Sequence, residues 1–224
     1  MKIVIQCAGR KRSDAGRLTD RTGTPSVFVA HPDKYDPFQF GVRRSRPDDV
    51  ADSESGTWRD ILVRYNATFV RDGSNPDRLL SAGDLYEPPV YGRLMHRFHP
   101  TNVFILSAGW GLVRADYLLP NYDITFSTQP KVRQECRRNK REVDWLDFNQ
   151  LLGQVVDGEE IHFFGGQDYL DLFYFLSDPN IIIGKYVIHH KADLRHRAGY
   201  EYDRYNSYAK TNWHYLAADA FGKR

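Results

Sequence analysis

The sequence predicts an α/β fold: a three-layer domain in which about four mostly parallel strands are flanked by helices. Three observations predict it. Four short runs rich in Val, Ile and Phe, at Lys2–Cys7, Asn102–Ser107, Ile161–Phe164 and Ile181–His189, lack the alternation of half-exposed strands. They read as strands covered on both faces. Segments with helical apolar spacing separate them, the strand–helix alternation of a parallel sheet. Each run ends in a loop of glycine and polar residues, which is where open parallel sheets bind ligands.

In chain order, the first strand is followed by Gly9–Gly56, which is polar and rich in Pro, Gly, Asp and Arg. A plain loop of that length is improbable in a compact domain. The segment is therefore expected to be a functional insertion, a partly disordered one, or one whose structure its pattern does not reveal. Trp58–Tyr65 carries helical apolar spacing, and Pro88–Phe98 begins with a double proline that suits a first helical turn. Lys131–Arg141, Leu146–Val156 and Tyr169–Leu176 complete the expected helices. The tail from Ala192 to Arg224 shows no strand pattern, with Ser207–Phe221 as a closing helix. One domain spanning residues 1–224, without internal repeats, is the expected organisation.

Composition narrows the function. With 41% hydrophobic and 27% charged residues the chain can bury one good core and keep a generous polar surface. A net charge of +2 does not make the whole molecule an obvious polyanion binder. Charge is nonetheless segregated: KVRQECRRNKR (131–141) holds six cations, and Glu142–Glu160 holds six acids with no Lys or Arg. This pattern either steers an anionic ligand to one face or decorates two solvated helices. The 14 Tyr, 13 Phe and 4 Trp suit wet binding surfaces as well as a core. Cys7 and Cys136 form neither metal spacing nor a disulfide framework. The MKIVIQC start is too short for a signal peptide, and no stretch approaches the ~20 apolar residues of a membrane span. Cytoplasm is the expected compartment, with no membrane partner and no cofactor.

Four loops follow the strands. In CAGRKR (7–12), small residues let the backbone approach a phosphate that Arg10, Lys11 and Arg12 neutralise, unless the segment is merely a solvated turn. In SAGWGLV (107–113), Gly109 and Gly111 either hold Trp110 out for a base to stack on or let it cover the core. Downstream, Tyr122 and Asp123 follow Pro120, and Asp123 is either a turn residue or a ligand-facing carboxylate. In GGQDY (165–169), Gln167 or Asp168 caps a helix or meets a base edge. His189 and His190 follow the last strand, and a His donating to a developing anion or to phosphate fits them better than a metal. His196 and the distant His96/His99 pair make only a weak ligand set, so no metal is expected. The tail mixes Arg195, Arg197, Arg204 and Lys210 with Tyr200, Tyr202, Tyr205, Tyr208 and Trp213. Cations interleaved with π-faces compose a single-strand or distorted-duplex surface, or an Arg–Tyr stabilised one.

Residues 84–126 add a resemblance. The order Leu85-Tyr86, helix, strand, Ser107-Ala108, Gly111-Leu112 and Pro120-x-Tyr122-Asp123 is similar to a bacterial and phage family. Cys7–Lys11 and Gly165–Tyr169 match that family more thinly. It is distantly similar to the YaaA peroxide-stress family and to the uracil-DNA-glycosylase-like domains of archaeosine-type transglycosylases. The resemblance implies a glycosylase-type sheet with a nucleobase pocket at its carboxyl edge. His189–His190 resembles a glycosylase histidine after the last strand, whereas the full Gly-Gln-Asp-Pro-Tyr-His motif is absent, so uracil itself is in doubt.

The expected function is excision of a modified, bulky phage-type base from DNA, leaving an abasic site, with phage defence as its setting. Asp123, His189 and His190 are the expected catalytic residues. Trp110, Tyr122, Gln167 and Asp168 are expected on the base, and Arg10, Lys11, Arg12, Arg195 and Arg197 on phosphate. The partner is nucleic acid, DNA rather than RNA. A non-catalytic nucleic-acid-binding protein and a base-exchanging transglycosylase are the alternatives.

Overall fold

The computed structural model describes residues 1–34, 42–52, 56–129, 131–140, 147–191, 193–209 and 212–223. In chain order the strands are β1 (Lys2–Gln6), β2 (Ser26–Val29), β3 (Arg43–Ser45), β4 (Val50–Asp52), β5 (Gly56–Thr57), β6 (Leu80–Ser81) and β7 (Val103–Ser107). β8 (Gly111–Arg114), β9 (Leu118–Leu119), β10 (Tyr122–Asp123), β11 (Phe148–Asn149), β12 (Glu160–Phe164), β13 (Lys185–His190) and β14 (Tyr200–Arg204) follow. The helices are α1 (Trp58–Asp72), α2 (Ala82–Leu85), α3 (Val90–Phe98), α4 (Gln167–Leu176) and α5 (Trp213–Ala220).

The main sheet runs β11-β8-β7-β1-β12-β13-β14. Its centre is the four apolar runs expected from sequence, now β7, β1, β12 and β13, and every pairing among them is parallel. The sheet has seven strands where about four were expected. Of the additional three, β8 returns antiparallel beside β7, β11 joins β8, and β14 extends the far edge parallel to β13. The last of these overturns the strandless reading of the tail: YEYDR is polar because it is an edge strand, and edges carry charge.

Helices cover both faces. Neighbouring strand residues point oppositely. Phe163 stacks on Phe173 of α4 at 4.3 Å, while His162 meets Phe221, just beyond α5, at 4.4 Å. The fully buried Ile3, Ile5, Phe104, Phe163 and Ile188 line the core between them. α1 runs further than its apolar spacing suggests because both ends are sealed. Thr57 and Asp60 form a reciprocal capping box, and Gly73 closes the helix at φ 73°.

The 9–56 insertion holds structure. β2 and β3 form a small parallel sheet with β10 in the order β10-β2-β3, pairing Tyr122 with Phe28 and Asp123 with Val29. Two other expectations fail. Lys131–Lys140 contains only a short 3-10 turn at Gln134–Cys136. Two of its cations turn inward: Arg137 donates to the carbonyls of Gln129 and Val132, and Arg138 is buried on Asp147. The 147–156 stretch is β11 followed by turns, because Phe148 is held by the Trp110 carbonyl and stacks on that indole. Glu142, Asp144 and Leu146 lie outside the described residues.

Because β7 and β12 flank β1 on opposite sides, the chain order reverses at β1. Crevices open beyond the carboxyl ends of strands at such a switch point. The loop that leaves β1 there is Cys7–Arg12.

Candidate functional site

A cavity of about 330 Å³ lies beside that loop, lined by Gly9, Lys11, Arg12, Ser13, Arg17, Val27, Asn121, Tyr122, Asp123 and Arg133. Four of these are cations and one is a carboxylate, so the cavity attracts anions although the whole chain is nearly neutral. Its walls come from the β1 loop, the insertion and β10. The insertion is what fixes the carboxylate, since β2 pairs directly with Tyr122–Asp123.

Asp123 and Arg133 form an ion pair of 2.6 Å, both about half exposed. Burial pushes the Asp123 carboxyl up, but the Cys136 thiol, Arg133 and Lys11 outweigh it and hold it below the usual range. Asp123 is therefore ionised at neutral pH. Burial and Asp123 push the Cys136 thiol up to about 12, so it stays protonated. Arg12 is exposed and shares a two-point contact with Asp14.

Lys11 differs from its neighbours. Its Nζ sits 4.0 Å from the ring centre of Tyr122 and 6.0 Å from that of Tyr86, and among the described residues no carboxylate lies within 4.0 Å of it. Burial pulls the ammonium below its ordinary value, against the raising effect of Cys7, Asp123 and Cys136.

Behind Lys11 is a buried hydroxyl network that sequence reasoning missed. Ser107 Oγ accepts from the N–H groups of Gly109 and Trp110 and donates to Tyr122 Oη at 2.8 Å. The Tyr122 and Tyr86 hydroxyls share a 2.8 Å bond, Cys7 Sγ meets Tyr169 Oη at 3.2 Å, and Tyr91 donates to the Gln6 carbonyl. Burial raises all four phenols well above their ordinary value, so they remain neutral. The sequence signals were the tyrosine excess and the Leu85-Tyr86 and GGQDY motifs.

The loop bearing Ser107 is clamped from beneath. Arg59 donates to the carbonyls of Trp110 and Gly109, and Arg138 donates to that of Ala108. Asp147 bridges the two guanidiniums at 3.6 and 2.6 Å. Trp110 is 0% exposed, packed among Phe28, Phe148 and Arg59, so it is a core residue with no face open to a base. Gly111 takes φ +84° where a Cβ would meet the Phe148 carbonyl at 2.5 Å. The glycines of this loop thus serve close packing and not display of the indole.

The β13 histidines point to opposite faces. His190 lines a second cavity of about 430 Å³ with Gly165, Gln167, Leu170, Ile188, Lys191, Leu194 and Trp213. His189 lines neither cavity. It stacks on Phe164 at 4.2 Å, contacts His162 at 3.1 Å and pairs with Asp203 at 2.9 Å. Burial and His162, working against Asp203, pull His189 down to about 4, and burial does the same to His214. Both histidines are neutral in the native state and titrate near 6.5 when unfolded. Between about pH 6.5 and 4 the unfolded chain then binds protons the native one does not. Stability is expected to fall on acidification through that window, by ~1.4 kcal/mol per pH unit for each histidine. Urea titrations at pH 7 and pH 5 measure it, and equal midpoints would contradict it.

Other expected site residues lie elsewhere. Arg10 is exposed and lines neither of these cavities, and Asp168 faces Lys140 at 3.8 Å. Arg195 is exposed, and Arg197 stacks on Tyr174 at 4.3 Å beside the β14 edge, away from both cavities. The tail's Arg–Tyr composition is therefore partly structural. His99 bonds Thr101 and His196 stacks on Tyr202, so the histidines weighed as ligands are scattered. No helix among the described residues is long and apolar enough to cross a membrane.

Fold and site together define a mixed α/β protein with an anion-attracting cavity at the switch point of a mostly parallel sheet. No family model matches the chain, and no curated protein matches it either.

Proposed function

We propose that the protein is an N-glycosylase that excises a modified base from DNA, with the cavity beside β1 as its catalytic pocket. The observation that carries this reading is the meeting of Asp123, Lys11, Arg12 and Tyr122 in one cationic cavity. Breaking the C1′–N bond builds oxocarbenium character on the sugar, which an ionised carboxylate stabilises or relieves by activating water. The Arg133 and Cys136 contacts suit Asp123 to that role and not to proton donation. Arg12, Arg17 and Arg133 suit the phosphates flanking an extruded nucleotide. The second cavity offers a mostly apolar space with the Gln167 amide, His190 and Trp213, groups suited to a base face and edge. The similarity of residues 84–126 to a bacterial and phage family, itself distantly similar to YaaA and to uracil-DNA-glycosylase-like domains, points the same way.

The test is incubation with modified and unmodified phage DNA, followed by an abasic endonuclease. Breaks confined to one modified DNA support excision. Gel-shift binding without breaks would replace it with the non-catalytic binder, which needs only the cations. Product seen only with an added free base would indicate base exchange. Arg17→Ala is expected to weaken DNA binding on all sequences and to reduce the salt slope by about 1. An unchanged slope would remove Arg17 from the phosphate path.

A further inference from the structure

Lys11 has a geometry that phosphate binding does not explain. The exposed Arg12, Arg17 and Arg133 line the cavity where a phosphate reaches them from solvent. Lys11 instead sits against the Tyr122 and Tyr86 rings, in the same cavity as Asp123, with no ion-pair partner among the described residues. An amine held out of water against an aromatic wall and open to a cavity is the arrangement of a lysine that attacks carbonyls, and the Asp123 carboxylate in the same cavity is a base for the step that follows.

We propose that Lys11 is a Schiff-base nucleophile that gives the protein an abasic-site lyase activity. This rests on the reading of the cavity as a sugar-binding pocket. An abasic deoxyribose is in equilibrium with its open-chain C1′ aldehyde. The neutral Lys11 amine adds to C1′, forming an N–C bond, and the carbinolamine takes a proton from solvent and loses water to give a protonated imine. Asp123 then takes a proton from C2′, and those electrons form the C1′–C2′ enamine. As the enamine collapses, the C3′–O bond breaks and its electron pair leaves with the phosphate, which becomes the 5′ end of the downstream strand. Water hydrolyses the remaining imine and returns Lys11 as the free amine. One water leaves and one enters, the imine proton returns to solvent on hydrolysis, Asp123 gives the C2′ proton to solvent, and no oxidant or reductant is needed. Burial, by lowering the ammonium, favours the neutral amine that the first step consumes.

The experiment uses the full chain and a synthetic duplex with a preformed abasic site, so no base excision is required. Sodium borohydride is added to reduce any imine. The expected result is a covalent protein–DNA complex, lost in both Lys11→Gln and Lys11→Arg, with peptide mapping placing the deoxyribosyl mass on Lys11. Without borohydride, the strand is nicked on the 3′ side of the abasic site. No adduct, or an adduct mapped to another lysine or the Met1 amine, overturns the proposal, and mapping decides this even if a variant misfolds. Base release from modified DNA is scored separately by alkali. Release without trapping would sink the lysine and keep the glycosylase. Trapping on Lys11 without release would keep the lysine and sink the glycosylase.

Discussion

Asp123→Asn is expected to lower the single-turnover rate of base release by about 10²–10⁴-fold while leaving DNA affinity within a few-fold. The amide keeps the shape of the carboxylate but not its charge, so it no longer balances oxocarbenium character. It also releases Arg133 from a half-exposed pair, and such pairs contribute only ~0–1 kcal/mol, so folding should be little changed. Fluorescence anisotropy measures binding and a quenched time course measures the rate. A variant that still excises at the wild-type rate would take Asp123 out of the chemistry. Arg133→Gln gives a finer check. Arg133 helps hold the carboxyl down, so its removal should move the acid limb of the pH–rate profile to higher pH. A limb that stays in place would mean Asp123 is not the titrating group.

The second large effect is structural. Asp147→Ala should destabilise the fold by about 3–5 kcal/mol, because it takes the carboxylate from the buried Arg138 guanidinium and one of two carboxylates from Arg59, which keeps Asp48. The Asp147, Arg138 and Arg59 side chains are only 3%, 2% and 6% exposed, so water cannot replace the carboxylate cheaply. For a chain of this size that corresponds to a fall in Tm of very roughly 10 °C. The damage should also reach the site, because the clamped loop carries Ser107, whose hydroxyl positions Tyr122 beside Asp123. Thermal denaturation measures the first effect. A Tm within 2–3 °C of wild type, about one kcal/mol, would show that the clamp is dispensable.

How far the sequence carried this account depends on what each segment buries. β1, β7, β12 and β13 were legible because strands covered on both faces must be apolar throughout. β14 was not, because an edge strand is free to be polar, and β2 and β3 were hidden in a polar insertion that pairs with only two residues of β10. The run 131–141 misled because a cation pattern does not distinguish solvated side chains from ones tied to carbonyls or to a buried Asp147. At the site, the strand-end rule found Lys11, Arg12, Tyr122 and Asp123. It did not single out Arg17, Asn121 or Arg133: Arg17 lies in the polar insertion, Asn121 is the unspecified position of Pro120-x-Tyr122-Asp123, and Arg133 is one of six cations in a run that does not show which of them faces the cavity. Nor could it separate Trp110 in the core from an exposed ring, since glycines serve either purpose.

The central claim is that the cavity beside β1 breaks an N-glycosidic bond. Mass spectrometry of the small molecules released from modified phage DNA tests this most directly. The expected product is a free modified base, released by the wild type and about 10²–10⁴-fold more slowly by Asp123→Asn. Release of a nucleotide or nucleoside, or of nothing at all from DNA the protein binds, would contradict it.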